Sequence, residues 1–412
     1  MTTYSCILAA INDPEKLEQL YREDHTGFTS NYLSVLAEFP DSMLLRAWRA
    51  RLEYVETRQH QMSAVDILIM VILCIISGSL LKIPDWTSIS DSDFYPRMLV
   101  LIPMSAMFFY TMYMRKWPLR TTMAGLGFIG ITALIMVAIP DNWDDVYELA
   151  CFNLPFLLWA CYGTARLGTE YRSAAARIEF LRFTGEFIIH AGLLVIGGGI
   201  LLFLTDGLFN LLDISSRWIL EYPAVYGCAA IPLVAAWATD SYSAARRLVP
   251  LLARIFSPLL LLLTLTYMTA MALNTEELFH DRSTLLIYNI LLLCVLATAI
   301  FTQTGHGEQK YGRFLTGIIS LMVFSTLVLD AIAVTAICWR IIEFSLTANR
   351  LAVLGSNLII FGNLASMGHG YIRYWKNLGS LQDIEVSIAA YLPAYLYWTF
   401  FSTFIQPWIF RY

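Results

Sequence analysis

The chain has 412 residues, of which 58% are hydrophobic and 14% charged, with a formal net charge of −5. Soluble chains average roughly a quarter charged residues and about half apolar ones, so this balance points to a polytopic membrane protein. Seven cysteines in this length exclude a disulfide scaffold, 14% aromatic content excludes disorder, and the acidic balance argues against nucleic acid as a partner.

Residues 1–62 read as a small helical domain. No basic tip with an apolar run precedes the first hydrophobic window, so no cleavable signal peptide is expected. Asp13-Pro14 supplies an N-cap followed by proline at the first helical position. A second helix is expected from Phe28 to Phe39. A third starts near Asp41, with Leu44, Leu45, Trp48, Leu52 and Val55 on one face. Arg46, Arg49, Arg51 and Arg58 accompany that face; they read as a solvated surface, or as partners for an anionic leaflet.

A spanning helix needs roughly 20 mostly apolar residues, at about 1.5 Å each through a core about 30 Å thick. Eleven windows qualify: 64–82, 97–114, 121–139, 147–165, 187–210, 222–239, 255–273, 284–303, 314–338, 351–372 and 388–409. Pro103 in the second, and Asn153 with Pro155 in the fourth, are tolerable where neighbouring helices satisfy the freed carbonyls. With eleven spans, 20 of the 27 lysines and arginines fall on the side of the N-terminus. That bias predicts a cytoplasmic N-terminus and an external Tyr412. The fold class is therefore an all-α transmembrane bundle over 63–412, with a cytoplasmic helical cap over 1–62. The longest loop, Arg166 to Arg182, reads as an interfacial helix or as an extension of its flanking spans.

Ionisable groups at membrane depth are costly and mark candidate sites. Asp330, set in Leu327-Val328-Leu329-Asp330-Ala331-Ile332, is the foremost: a relay, a cation ligand or an interhelical bond. Glu186 and His190, four apart, share a helix face near the cytoplasmic end of the fifth window and read as an interfacial pair or a proton relay. Gly197, Gly198 and Gly199 allow close helix approach or a broken, hinge-like helix, and Asp206 follows them. The tenth window carries Asn357 and Asn363, which offer interhelical hydrogen bonds, and His369 near its exit. These residues do not have metal-ligand spacing, so no metal and no cofactor is expected. Acids gather at the external side, at Asp85, Asp91 and Asp93, at Asp141, Asp144, Asp145 and Glu148, and at Glu276, Glu277 and Asp281; they read as the complement of the basic bias.

Gly125-Leu126-Gly127-Phe128-Ile129-Gly130 matches a dinucleotide fingerprint in letters only, because it lies in an apolar window without a βαβ unit; it reads as a helix-packing stretch. The cysteines behave as small apolar residues. The segment Trp339-Arg340-Ile341-Ile342-Glu343-Phe344-Ser345-Leu346-Thr347-Ala348-Asn349-Arg350 resembles a stretch of the bacterial inner-membrane proteins grouped as domain-of-unknown-function family 4153. Their pattern is Arg-Ile-x-Glu-Tyr-Gly-Leu-Thr-x-x-Arg, with Phe344 and Ser345 standing here where Tyr and Gly stand there. The resemblance implies a bacterial polytopic membrane protein and brings no activity with it. Thr347 or Ser345 is placed to cap the next helix, Arg340 and Glu343 to pair, and Arg340 with Arg350 to form an external anion or headgroup site.

Two functional expectations follow. The first is a transporter or permease-like protein for a small solute or ion, centred on Asp330. The second is a membrane sensor or scaffold in which residues 1–62 dock a cytoplasmic protein. An intramembrane enzyme lacks a recognisable nucleophile or metal set.

Overall fold

The computed structural model describes residues 3–23, 25–58, 63–140, 144–211, 218, 221–241, 244–273, 282–304 and 312–410. Asp141, Glu276, Glu277 and Asp281 lie outside them, as do the side chains of Leu52, Val55, Arg58 and Asp144. Among the described residues the fold is all-α, without strands. Met1–Ser63 and Ala64–Tyr412 form two compact units.

The first unit holds α1 (Thr3–Ala9), α2 (Pro14–Glu23), α3 (His25–Glu38) and α4 (Met43–Arg58). The helix over α1 is an addition to the expectation; the other three fall where caps and periodicity place them. Phe28, Tyr32, Leu45 and Trp48 are buried in the unit's own core, and the Tyr32 hydroxyl donates to the Leu45 carbonyl. Arg51 pairs with Glu18 at 2.5 Å and lies over the Trp48 ring at 4.5 Å, so its charge is used within the unit.

The second unit comprises α5 (Ala64–Leu81), α6 (Ile83–Trp86), α7 (Asp91–Met114), α8 (Leu119–Ala138), α9 (Asp144–Leu167), α10 (Ala174–Leu211), α11 (Pro223–Ser241), α12 (Ala244–Leu273), α13 (Arg282–Thr304), α14 (Arg313–Phe344), α15 (Ala348–Trp375), α16 (Leu381–Phe400) and α17 (Gln406–Ile409). A π-helical turn, Phe401–Ile405, joins the last two. Every one of the eleven windows falls on a helix, with 388–409 covering α16, the π turn and α17. Among the described residues seven segments are long and apolar enough to cross a membrane: Ala64–Leu81, Asp91–Met114, Leu119–Ala138, Ala174–Asp206, Arg313–Phe344, Ala348–Trp375 and Leu381–Ile409. α7 continues through Pro96 and Pro103, and α9 through Pro155. The 166–182 stretch resolves as a 3₁₀ turn, Gly168–Arg172, followed directly by the first turns of α10.

Burial is inverted relative to a soluble domain. Leu68, Ile72 and Ile75 on α5, and Ile196, Leu201 and Phe203 on α10, are exposed. Hydroxyls are buried instead, and many fold back onto the carbonyl four residues earlier, as Thr132 does to Phe128 and Thr326 to Met322. In hydrocarbon that local bond satisfies the hydroxyl without a partner helix. Two apolar cores stand side by side. One gathers Met107, Phe108, Leu154 and Tyr162 from α7 and α9; the other gathers Val323, Leu364, Tyr371 and Ile388 from α14, α15 and α16.

The α14–α15 connection shows how a local conflict is resolved. Ser345 has φ 67° and ψ 167°, a conformation natural only to glycine. The Arg350 guanidinium donates at 2.5 Å to the carbonyls of both Phe344 and Ser345, and Thr347 accepts from the Arg350 amide as N-cap. Arg350 is thus a turn clamp, which narrows its availability for an external anion. Ser345→Gly is expected to stabilise the protein by about 1–3 kcal/mol, the size of such backbone strain. A higher melting temperature of the purified full-length variant checks it, and an unchanged one refutes it.

Candidate functional site

Asp330 is fully buried on α14, beside Leu329 and Ala333, and neither carboxylate oxygen has a partner among the described residues. Hydrogen bonds and close contacts set the register of its neighbours. The Trp375 indole donates to Ser320, and Gly368 faces the Phe324 ring, so α14 and α15 run antiparallel. Asp330 lies six residues beyond Phe324, about 9 Å along the helix, which brings it level with Asn363. Asn363 Nδ2 donates to Tyr395 Oη on α16 at 2.8 Å, while its Oδ1 is unpartnered.

The same register carries the site outward. Trp398 donates to Ser356 at 3.0 Å, and Gln406 Nε2 to the Ala348 carbonyl at 2.7 Å, so α16 and α17 run antiparallel to α15 along its whole first half. Along these contacts sit four further buried atoms without partners among the described residues: Asn357 Nδ2, Ser402 Oγ, Thr403 Oγ1 and Gln406 Oε1. With Asp330 and Asn363 they lie at successive heights of the bundle, a row by register from the helix end at Gln406 to mid-span. An unpartnered buried polar atom costs about 1–3 kcal/mol, so a row of them calls for a hydrogen-bonding guest.

The π turn helps to build that row. The Gln406 amide bonds to the Phe401 carbonyl, an i to i+5 bond, and Pro407 has no amide to offer Thr403. The widened turn buries Ser402 and Thr403 together, and such turns recur at functional sites. Tyr395, Ser402, Thr403 and Gln406 are absent from the sequence-derived candidates. Their signal was the spacing 395, 399, 402, 403, 406, one helical face of polar residues within an apolar window.

The other candidates lie elsewhere. Glu186 is buried on α10, and His190 Nδ1 lies 3.0 Å from Thr239 Oγ1 on α11. Asp206 is half-buried near the end of α10, and His369 is exposed on α15. α10 runs unbroken through Gly197, Gly198 and Gly199, and a Cβ on any of them meets nothing within 4 Å among the described residues. The helix is not broken there, and among the described residues no close helix contact is made. In the Gly125–Gly130 stretch only Gly125 meets a neighbour, the Met112 methyl at 3.0 Å. Among the described residues no three His, Cys, Asp or Glu side chains converge as metal ligands.

One charged cluster escaped the sequence reading. Arg166 on α9 is buried, forks onto Asp240 on α11, donates to Tyr162 at 3.2 Å and lies over the Phe183 ring at 3.7 Å. Both terminal nitrogens donate to protein, to Tyr162 on its own helix and to Asp240 on α11, which makes it an anchor between helices.

Set against known protein families, curated proteins and solved structures, the chain matches none of them. The class of protein rests on its own architecture: among the described residues, seven helices long and apolar enough to cross a bilayer, in an all-α fold with exposed apolar sides, describe a membrane protein.

Proposed function

We propose that the protein is a multi-pass transporter of a small ion or solute, in which a proton or small cation reaches Asp330 along the row from Gln406. The observation that carries this reading is the run of buried, unpartnered oxygens and amides ending at a buried carboxylate. Hydroxyl and amide groups at successive helical turns accept and donate to a water file or a dehydrated cation. A carboxylate at mid-span is the group to hold either.

In this reading all eleven windows cross the membrane. The four on α9, α11, α12 and α13 join the seven, the first unit faces the cytoplasm, and the row opens to the outer side. The basic bias supports that orientation, with 20 of 27 lysines and arginines on one side. The resemblance around Trp339–Arg350 supports a bacterial inner membrane as its setting. A scaffold role for the first unit is the second reading, favoured by its separate core.

The test is ion flux into liposomes containing the full-length protein, read with a pH-sensitive dye and with tracer alkali cations. Asp330→Asn is expected to lower flux at least tenfold, and Gln406→Leu to lower it by a similar factor, with both proteins inserted and folded. Undiminished flux in both variants overturns the reading. So does an absence of flux in the wild type under every ion gradient.

A further inference from the structure

A second feature of the helical unit borders the Asp330 row, with Asn357 and Tyr395 in its lining. A cavity of about 1740 Å³ runs between α9 and α10 on one wall and α13, α15 and α16 on the other. Along α9 its lining extends from Asp145 to Leu167. That is about 33 Å at 1.5 Å per residue, the thickness of a bilayer's hydrocarbon core. Its walls are mostly apolar, with Phe152, Phe156 and Ile188 facing Leu293, Ile360 and Leu396. Trp159 donates its indole N–H to Thr184 at 3.3 Å and so presents an apolar ring.

The two ends differ in charge. At one end Arg340 and Arg350 are accompanied by Asp145 and Glu148, which balance them. At the other, Arg172 and Arg177 line the cavity with no acidic residue beside them in its lining. Arg177 is held in place by backbone: its Nε donates to the Tyr171 carbonyl at 2.6 Å and its Nη1 to the Ala389 carbonyl of α16 at 3.1 Å. Arg172 Nε donates to the Tyr171 hydroxyl at 2.8 Å. Among the described residues neither guanidinium has a carboxylate within ion-pair distance. Two arginines with charge to spare, one already oriented, suit a phosphate.

We propose that this groove is a binding site for one anionic glycerophospholipid of the surrounding bilayer. Its phosphate sits at Arg172 and Arg177 and an acyl chain runs along the apolar walls. The charge asymmetry selects the headgroup end, and the length and apolar lining select a chain that spans a leaflet and more.

The full-length protein, purified in a neutral maltoside and stripped of lipid by extended washing, is titrated with phosphatidylglycerol and separately with phosphatidylcholine. Native mass spectrometry gives stoichiometry and affinity. One phosphatidylglycerol is expected to bind at least tenfold more tightly than phosphatidylcholine. Arg172→Gln with Arg177→Gln removes that preference, and Ala160→Trp, which fills the groove midway, removes the bound lipid altogether. Because Arg177 also ties to α16, Arg172→Gln alone is carried alongside and is expected to lose a smaller part of the preference. Equal affinity for the two lipids in the wild type overturns the proposal. An intact preference in both arginine variants, or full binding in Ala160→Trp, also overturns it, the last because the lipid then lies on another face. Displacement of the lipid by glycerol phosphate at equal concentration marks a soluble anion site and overturns it as well.

Discussion

Asp330→Val is expected to raise the melting temperature of the full-length protein by a few degrees while abolishing transport. The carboxylate is fully buried and both oxygens lack partners among the described residues. Burying a polar group without a hydrogen bond costs about 1–3 kcal/mol. Valine removes that penalty with a modest change in volume, and Asp330→Asn, which keeps the shape, is expected to melt at or above the wild type. The control lies one helix away: Asn363→Leu loses a real bond, the 2.8 Å contact with Tyr395, and is expected to lose about 1 kcal/mol. Opposite signs at neighbouring positions separate a residue retained for function from one that holds helices together. Melting of both Asp330 variants well below the wild type would falsify the functional assignment and make the carboxylate interhelical glue.

What the sequence disclosed here follows physical range. Helix positions were legible because each span must satisfy its own backbone, so apolar length alone marks it. Asp330 was legible because a single charge in Leu-Val-Leu-Asp-Ala-Ile stands out against hydrocarbon. Tyr395, Ser402, Thr403 and Gln406 were not, because serine and threonine are ordinary in spans and become notable only when the fold buries them without a partner. The π turn depends on the conjunction of Pro407 with packing against α9, which no local pattern encodes. The glycine run on α10 shows the converse: three small residues announce a contact, but a contact needs a neighbour, and among the described residues none lies within 4 Å of an added Cβ. Ser345 shows a third case. A glycine-like turn persists without glycine because Arg350, five residues on, holds its carbonyls.

The same contrast among glycines yields the second large effect. Gly355→Ala is expected to destabilise the protein by about 1–3 kcal/mol, the range for overpacking a filled core, whereas Gly198→Ala is expected to stabilise it by up to about 1 kcal/mol through helix propensity. At Gly355 an added Cβ falls within the Trp398 ring. That ring has little freedom to retreat, since its indole N–H donates to Ser356 at 3.0 Å and its face stacks on Phe401 at 5.5 Å between centroids. Moving it drags the first residue of the π turn and, three residues back on α16, Tyr395. Loss of stability at Gly355 is therefore expected to bring loss of flux. Gly362, facing the Tyr391 hydroxyl in the same interface, is expected to behave alike. Melting curves and liposome flux on the three single variants, together with Gly197, Gly198 and Gly199 all changed to alanine, decide the matter. The triple variant is expected to melt higher and transport normally, because α10 is already a continuous helix there. A triple variant that keeps its stability but loses flux shows instead that α10 must bend at those glycines during transport, and moves the hinge from an absent contact to a required motion.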